Sequence, residues 1–302
     1  MEYGIVVQLD REWWPKNLLE YPFTHWTYMF KPNGTKIRPP IRLGVYSIWR
    51  GEFSPDGKYF AYSDWNMHLY LMRVSDGKKV SLSDDLGKIA INNIKWLEDD
   101  RTIVYGDDKV YIQDVGCLLT EEMPSNCLPP PAIIKLGVNR SFCDISPDGT
   151  RIIYTYAEYE EGHKIVKWDV GLMEVASSSS ISLKTEGDYM QFVGNTTILI
   201  RKENNIYIAE IDNNKLISKK LIAKLAQDET SFSLSPDGKY LAFISSQRGD
   251  GLGEVMRLRP WNWDSVTTTS ALFIMDIATG KAQRLTYPND HDVIWYGWYP
   301  LR

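Results

Sequence analysis

Residues 53–63 read FSPDGKYFAYS, and near-copies of this stretch recur at residues 145–155 (ISPDGTRIIYT) and 234–244 (LSPDGKYLAFI). The aspartates of successive copies are 92 and 89 residues apart. Proline presets φ for the first turn position, and glycine takes the left-handed position that lets a tight hairpin close. Because apolar residues stand on both sides of each turn, every copy predicts a strand–turn–strand unit.

Half of this interval, about 45 residues, is typical of a four-stranded propeller blade. Degenerate copies of the unit lie midway, at residues 93–106 (NIKWLEDDRTIVYG) and 189–201 (YMQFVGNTTILIR). A second hairpin with a polar turn follows each unit, as in residues 69–83 (LYLMRVSDGKKVSLS) and 272–286 (LFIMDIATGKAQRLT). Each repeat is therefore predicted to be a sheet of four antiparallel strands, which we label a to d in chain order.

The sixth repeat is divided between the two ends of the sequence. Residues 293–300 (VIWYGWYP) resemble strand a, while residues 3–9 and 26–40 supply strands b, c and d. Pairing these segments closes a ring and removes the exposed sheet edge that would invite aggregation. The sequence thus predicts an all-β six-bladed β-propeller of four-stranded antiparallel blades, closed by N-terminal strands, rather than an irregular β-sandwich.

A single domain of residues 1–302 is predicted, because closed folds of this kind reach such a length as one unit. The complementary ends indicate a complete ring rather than a truncated one. The predicted blades are residues 41–86, 87–137, 138–183, 184–226 and 227–286 for blades one to five, and 287–302 with 1–40 for blade six.

The Ser-Pro-Asp-Gly hairpin, followed by a strand that ends in Asp, a turn glycine and Leu-Ser or Leu-Thr, is similar to the repeat of TolB-like propellers, the WD40-like PD40 type. Residues 53–83 and 234–286 match best, residues 145–180 match moderately, and the other repeats match by spacing. The sequence departs from TolB itself in having no N-terminal α/β domain, so the resemblance does not extend to the Pal-binding and colicin-related roles. It also contains neither the hydrolase domain nor the G-x-S-x-G motif of prolyl oligopeptidase-like enzymes.

Composition argues against several classes of function. The net charge is −5 and no dense Lys/Arg cluster is present, so nucleic-acid binding is not predicted. The sequence contains no stretch of about 18 apolar residues, so no membrane span is predicted. Residues 1–10 do not resemble a signal peptide. The compartment is cytoplasmic if Met1 is the native start, and periplasmic or extracellular if a leader was removed. Nothing in the sequence predicts a cofactor.

The sequence contains three cysteines. Cys117 and Cys127 flank a loop and are candidates for a disulfide in an oxidising compartment, with two free thiols as the alternative. Cys143 lies in an apolar strand pattern and is predicted to be a buried thiol. The spacing of the cysteines fits no zinc motif.

Strand order places the b–c and d–a loops on one face, which we call the loop-rich face, and the a–b and c–d turns on the opposite turn face. The turn face is expected to be plain. Two b–c loops, residues 10–25 and 246–270, are long enough to indicate function, and they belong to neighbouring blades. Trp, Tyr and Arg dominate binding hot spots. The candidate partner-binding residues of these and shorter loops are Trp13, Trp14, Tyr21, Phe23, Trp65, Tyr156, Tyr159, Arg257, Arg259, Trp261 and Trp263.

The predicted function is that of a non-catalytic scaffold that docks a protein or peptide partner on the loop-rich face. Two alternatives use the same residues. The tryptophan-rich loops would pack on each other as a small satellite core, or the exposed patch would join copies of the chain in a homo-oligomer.

A catalytic alternative rests on the histidines. His25, His68 and His163 stand at the start of strand c in three blades, and His291 lies in the last d–a loop. Three histidines can hold a metal, and some propeller lyases acting on uronate oligosaccharides use a His-bound ion. A metal-dependent polysaccharide lyase-like or saccharide-binding propeller is therefore the alternative. Binding is favoured over catalysis, because imidazoles on the third strand from the axis are too far apart to meet one ion at about 2 Å.

Overall fold

The repeat is present as six four-stranded antiparallel sheets, each with its strands ordered a to d from one edge to the other. Helical structure in the described part of the chain is one short 3-10 helix, and no helix there has the length and apolarity needed to cross a membrane. The computed structural model describes residues 2–9, 26–38, 48–64, 66–83, 90–124, 126–159, 165–187, 189–224, 229–245, 271–286 and 293–301.

Blade six takes strands b, c and d from the start of the chain: β1 (Glu2–Leu9), β2 (Trp26–Phe30) and β3 (Lys36–Ile37). Blade one consists of β4 (Ile48–Phe53), β5 (Tyr59–Asp64), β6 (Leu69–Arg73) and β7 (Lys79–Ser81). Blade two consists of β8 (Asn93–Trp96), β9 (Thr102–Gly106), β10 (Lys109–Asp114) and, after the 3-10 helix Gly116–Leu118, β11 (Ala132–Lys135).

Blade three consists of β12 (Arg140–Ile145), β13 (Arg151–Tyr159), β14 (Ile165–Glu174) and β15 (Ser180–Glu186). Blade four consists of β16 (Tyr189–Phe192), β17 (Thr197–Lys202), β18 (Asn205–Asp212) and β19 (Lys215–Lys224). Blade five consists of β20 (Glu229–Leu234), β21 (Tyr240–Ser245), β22 (Ala271–Asp276) and β23 (Ala282–Arg284), and β24 (Val293–Leu301) is strand a of blade six.

The first strand of each blade lies nearest the central axis, and the fourth is outermost. Strands a of neighbouring blades lie side by side from β24 through β4, β8 and β12 to β16. Most residues of the outer strands β15 and β19 are exposed. The hydrophobic core is therefore divided into layers between blades; between blades one and two, for example, Leu71, Trp96 and Tyr105 pack together.

Strands from both ends of the chain close the ring in blade six. β1 pairs with β24 along its whole length, from Glu2 opposite Leu301 to Leu9 opposite Val293, and with β2 on its other side. Val6 is fully buried in the cluster that blade six shares with blade one, whereas the residues on either side of it face blade five. The predicted closure by N-terminal strands is thus confirmed.

The Ser-Pro-Asp-Gly motif is explained by hydrogen bonds within the turn. In blade one, the Ser54 hydroxyl donates to Asp56 Oδ1 (2.7 Å) and its oxygen accepts the Tyr59 amide (3.0 Å). Gly57 adopts φ of 68°, the left-handed conformation that only glycine adopts without strain. The other two copies repeat these contacts, through Ser146 to Asp148 (2.6 Å) and Ser235 to Asp237 (2.7 Å).

The turn face is not plain, and the expectation was wrong in blade two. Residues 115–131, which we call the disulfide loop, connect β10 to β11 and contain a Cys117–Cys127 disulfide with a Cα–Cα distance of 6.0 Å. Leu118 and Met123 are buried in the core between blades one and two. Arg73 of blade one donates to the carbonyls of residues 120 and 121 (3.0 and 2.9 Å). The loop therefore covers the boundary between these two blades.

Replacing both bonded cysteines, Cys117→Ser with Cys127→Ser, is expected to lower the free energy of unfolding by about 2–3 kcal/mol, since the disulfide restricts the unfolded chain. Urea unfolding with and without reductant measures the effect. Reductant should bring the wild type to the stability of the double variant and leave the variant unchanged. A wild type that unfolds at the same urea concentration in reductant would show that the bond contributes nothing.

Candidate functional site

One residue from each innermost strand occupies an equivalent position around the axis. We call these residues the axial ring, and in the order of blades one to six they are Glu52, Lys95, Asp144, Gln191, Ser233 and Gly297. Their pairing partners on strand b are, in the same order, Ala61, Val104, Ile153, Leu199, Ala242 and Val6.

Three acceptor side chains of the axial ring, from blades one, three and four, link their blade to the next one. Each of the three accepts a hydrogen bond from the amide of the last strand-a residue in the following blade. The contacts are Trp96 N to Glu52 Oε2 (2.6 Å), Phe192 N to Asp144 Oδ2 (2.7 Å) and Leu234 N to Gln191 Oε1 (3.2 Å). Lysine cannot accept a hydrogen bond, so after blade two the Ile145 amide donates to Asp144 Oδ1 instead (2.9 Å).

Three members of the ring form a charged centre. Lys95 Nζ lies 3.1 Å from Glu52 Oε1 and 3.9 Å from Asp144 Oδ2. The side chains of Glu52 and Lys95 are 31% and 16% exposed and that of Asp144 is 1% exposed. Because these strands surround the axis, we assign the exposure of the first two to a narrow axial channel.

Electrostatics hold Lys95 in its charged form. Burial alone would lower its pKa, but the nearby charges of Asp144 and Glu52 together raise it. Burial raises the pKa of both carboxyl groups, and the Lys95 ammonium opposes that shift. One ammonium therefore serves two carboxylates, and the group carries no surplus positive charge.

A second set of axial residues lies nearer the loop-rich face, because strand a of blade one runs from that face towards the Ser54 turn. Arg50 is exposed, its Nε donates to the Asn92 carbonyl (2.8 Å), and its guanidinium lies 4.9 Å from the centre of the Trp49 ring. Tyr189 of blade four and Tyr296 of blade six lie close enough to Arg50 for its charge to affect the pKa of both. We call Arg50, Tyr189 and Tyr296 the axial mouth.

The two phenols of the axial mouth are neutral hydrogen-bonding groups. Burial, with a smaller contribution from Asp144, raises the pKa of Tyr189 to about 12, although Lys95 and Arg50 oppose the shift. Burial also raises the pKa of Tyr296 well above its usual value, and Arg50 opposes that shift too. The axial mouth thus combines one guanidinium with two phenols that stay protonated at neutral pH.

Two of the predicted partner-binding residues lie in strand β13 rather than in a loop. Tyr156 is half-buried and its hydroxyl donates to Asp169 Oδ2 (2.8 Å), while Tyr159 is the last residue of the strand. The strand continues through the segment expected to be a b–c loop, which anchors Tyr156 to blade three. The other candidates lie outside the described residues: Trp13, Trp14, Tyr21, Phe23, Trp65, Arg257, Arg259, Trp261 and Trp263.

Of the four histidines, the structure describes His68. It precedes β6, is exposed, and its Nδ1 lies 3.2 Å from Asp64 Oδ2. Within the described ranges, no three or more His, Cys, Asp or Glu side chains are grouped so that they could hold a metal. His25, His163 and His291 lie outside these ranges.

A cleft of about 410 Å³ opens on the turn face between blades one and two, beside the disulfide loop. Its charged side chains already have partners: Lys58 lies 2.6 Å from Asp56, and Arg101 lies 2.6 Å from Asp114. The axial mouth, whose guanidinium donates to uncharged carbonyls, is the stronger candidate for a binding site.

The sequence interpretation missed both the axial ring and the axial mouth. A signal was present, because Glu52, Lys95 and Asp144 each stand immediately before the last apolar residue of strand a. A charged residue at the same position of three successive repeats indicates that the position has a common environment.

Six four-stranded blades, the last one closed by strands from both ends of the chain, define this chain as a six-bladed β-propeller. No protein-family model matches the sequence, and no curated protein matches it either. By structure, 1246 chains match, so the fold is common and does not by itself select a function.

Three solved structures illustrate the likeness. A TolB candidate from Agrobacterium tumefaciens has 15% identity and a TM-score of 0.57, with 95% of this chain and 89% of that chain covered. A chain of the nidogen–laminin complex has 10% identity and a TM-score of 0.59, with 98% of each covered. Oligogalacturonate lyase in complex with manganese has 13% identity and a TM-score of 0.47, with 95% of this chain and 74% of that chain covered. A TM-score of this size is too low to support an argument about chemistry. At these identities the likeness shows the fold alone.

Proposed function

We propose that this chain is a non-catalytic binding propeller that docks a protein or peptide partner on its loop-rich face, with the axial mouth at the centre of the contact. The observation that carries the proposal is the exposed Arg50 guanidinium, stacked on Trp49 and sharing the axis with two tyrosines. Arginine, tryptophan and tyrosine are the residue types that dominate binding hot spots near the centre of interfaces.

The charge of the axial mouth favours an acidic group on the partner. Lys95, deeper in the channel, is already neutralised by Glu52 and Asp144. Arg50 donates to the backbone carbonyls of Asn92 and Trp49, which carry no formal charge. A carboxylate of the partner would therefore meet a guanidinium and neutral phenols, which are suited to charge-assisted hydrogen bonds.

The strand ends that bound the two long connections singled out in the sequence lie on the loop-rich face. Leu9 and Trp26 bound residues 10–25, and Ser245 and Ala271 bound residues 246–270. Their arginines and tryptophans would extend a contact that begins at the axis. Wider interfaces of this kind combine a few anchoring residues with a polar rim.

Affinity capture with the immobilised chain tests the proposal. Arg50→Gln is expected to weaken retention of the captured partner by about tenfold or more, as for loss of a hot-spot residue. A variant lacking residues 248–268 should weaken it as well. Lys281→Gln removes one positive charge from the exposed turn face and serves as the matched control, with retention equal to the wild type.

Two outcomes would contradict the proposal. The first is a partner retained equally by the wild type, Arg50→Gln and the loop-deleted variant, with urea unfolding showing that all three are folded. The second is stoichiometric manganese or zinc in the purified protein, which would favour the lyase-like alternative.

A further inference from the structure

We propose that β19, the outer strand of blade four, is a docking strand for an extended acidic segment of another protein. β19 has ten residues and stands at the edge of its sheet, with β18 beside it. The outer strands of the other blades have two, three, four, seven and three residues. Short outer strands protect a sheet against pairing with another chain. Blade four lacks the protection of a short outer strand, although two register shifts interrupt the pairing of β19 with β18.

The exposed side chains of β19 have a distinctive composition. Ile217 and Leu221 are 64% and 49% exposed. The strand contains four lysines and no acidic residue, although the whole chain has a net charge of −5. An exposed edge that combines apolar and positively charged side chains suits a partner with apolar and acidic ones.

Contacts to Tyr207 of blade four and Thr185 of blade three hold one of these lysines in place. Lys219 Nζ lies 4.3 Å from the centre of the Tyr207 ring and donates to Thr185 Oγ1 (3.2 Å). Lys202, nearby, is paired with Glu186 at 2.6 Å. Burial, with the charge of Lys202, lowers the pKa of Lys219, so an added carboxylate would stabilise its charged form.

An added strand would use both the backbone and the side chains of β19. The edge of a sheet offers backbone N–H and C=O groups to an incoming strand, and side chains at alternate positions provide selectivity. Lys219 and Leu221, opposite Ala209 and Tyr207, stand at such alternate positions, and Ile217 lies beside them at a β-bulge. A glutamate opposite Lys219, flanked by apolar residues, would match this face.

The lysines also argue against a second copy of this chain as the occupant. Antiparallel pairing of β19 with its own copy would bring lysines opposite or close to lysines, and like charges in cross-strand positions are destabilising. Edge lysines thus discourage indiscriminate pairing while they favour an acidic strand.

Fluorescence anisotropy tests the proposal, using the full chain and a labelled peptide as long as β19 that alternates glutamate and valine. Saturable binding is expected. The double substitution Lys219→Glu with Lys220→Glu should weaken it by at least about tenfold. The matched control is Lys109→Glu with Lys135→Glu, an exposed cross-strand pair in blade two that changes the net charge equally and should bind as the wild type does.

A second measurement separates strand addition from general charge attraction. Bound peptide is expected to slow hydrogen exchange of the β19 amides, and the same peptide with a central proline should bind more weakly. No binding, equal loss in both double variants, or unchanged exchange in β19 would overturn the proposal. Self-association that the Lys219 and Lys220 substitutions alter would also overturn it, in favour of a second copy.

This proposal is independent of the one for the loop-rich face. Arg50→Gln should bind the acidic peptide at β19 as well as the wild type does. Failure at β19 therefore leaves the axial-mouth proposal standing, and failure of partner capture through Arg50 leaves the β19 proposal standing.

Discussion

Val6→Asp is expected to destabilise the protein by at least about 3 kcal/mol, because it buries a carboxylate that has no partner. Val6 has no exposed surface and lies in β1 between β24 and β2, where the ring closes. Urea unfolding measures the loss. The deficit should shrink on acidification, because protonation removes the buried charge.

Glu2→Gln provides the control for this prediction. Glu2 is exposed at the start of the same strand, so removing its charge should change the free energy of unfolding by no more than about 0.5 kcal/mol. Hydrogen exchange gives a second readout, in which Val6→Asp should speed exchange in β1 and β24 more than in β13. Wild-type stability of Val6→Asp would show that the closing strand contributes little to the fold.

Lys95→Met is expected to lower the free energy of unfolding by about 3 kcal/mol at neutral pH, because it leaves the buried carboxylate of Asp144 and the partly buried carboxylate of Glu52 without their cation. Lys95 is the only ammonium within 4 Å of Glu52 or Asp144 among the ion pairs of the described residues. Lys95→Arg keeps the charge and should lose much less. Equal losses in the two variants would show that packing at this position matters and its charge does not.

The loss caused by Lys95→Met should depend on pH in a defined direction. Burial already raises the pKa of Glu52 and Asp144 above their ordinary values of 4.5 and 3.8, and removing the ammonium raises both further. A carboxyl with a raised folded-state pKa stabilises the fold below its unfolded pKa, and this contribution is lost as pH rises through the folded pKa. The deficit of Lys95→Met should therefore be largest at neutral pH and decrease towards about pH 4. A deficit that does not change with pH would contradict this account.

The sequence predicted the architecture because the information for it is local and repeated. The Ser54 and Gly57 turn chemistry recurs at a constant interval, so the number of blades follows from spacing. The closure follows from the two ends of the sequence, because residues 293–300 supply only strand a of a blade and residues 3–9 supply the strand b that pairs with it. The number of blades thus depends on local turn chemistry at a constant spacing, and the closure depends on matching the two ends of the sequence to one repeat.

The position of the axial ring carried a sequence signal, but its contacts could not be predicted in the same way, because they form only when the blades meet. Glu52 and Asp144 are far apart in sequence and each looks like an ordinary polar residue of an alternating strand. Their shared contact with Lys95 depends on the curvature of the ring. The disulfide loop was misjudged for a related reason, since the burial of Leu118 and Met123 depends on the neighbouring blade.

The pairing of β1 with β24 has a consequence for how the chain folds as it is synthesised. β1 is synthesised before the other strands of the propeller and its partner β24 after them, so about 290 residues separate the synthesis of the two strands. During that interval the apolar residues of β1 lack one of their two neighbours. Contacts between residues so distant in sequence form slowly and leave surface exposed to aggregation. A chaperone that binds this nascent strand would therefore reduce aggregation of this protein. The benefit would be smaller for a protein whose closing strands are adjacent in the chain.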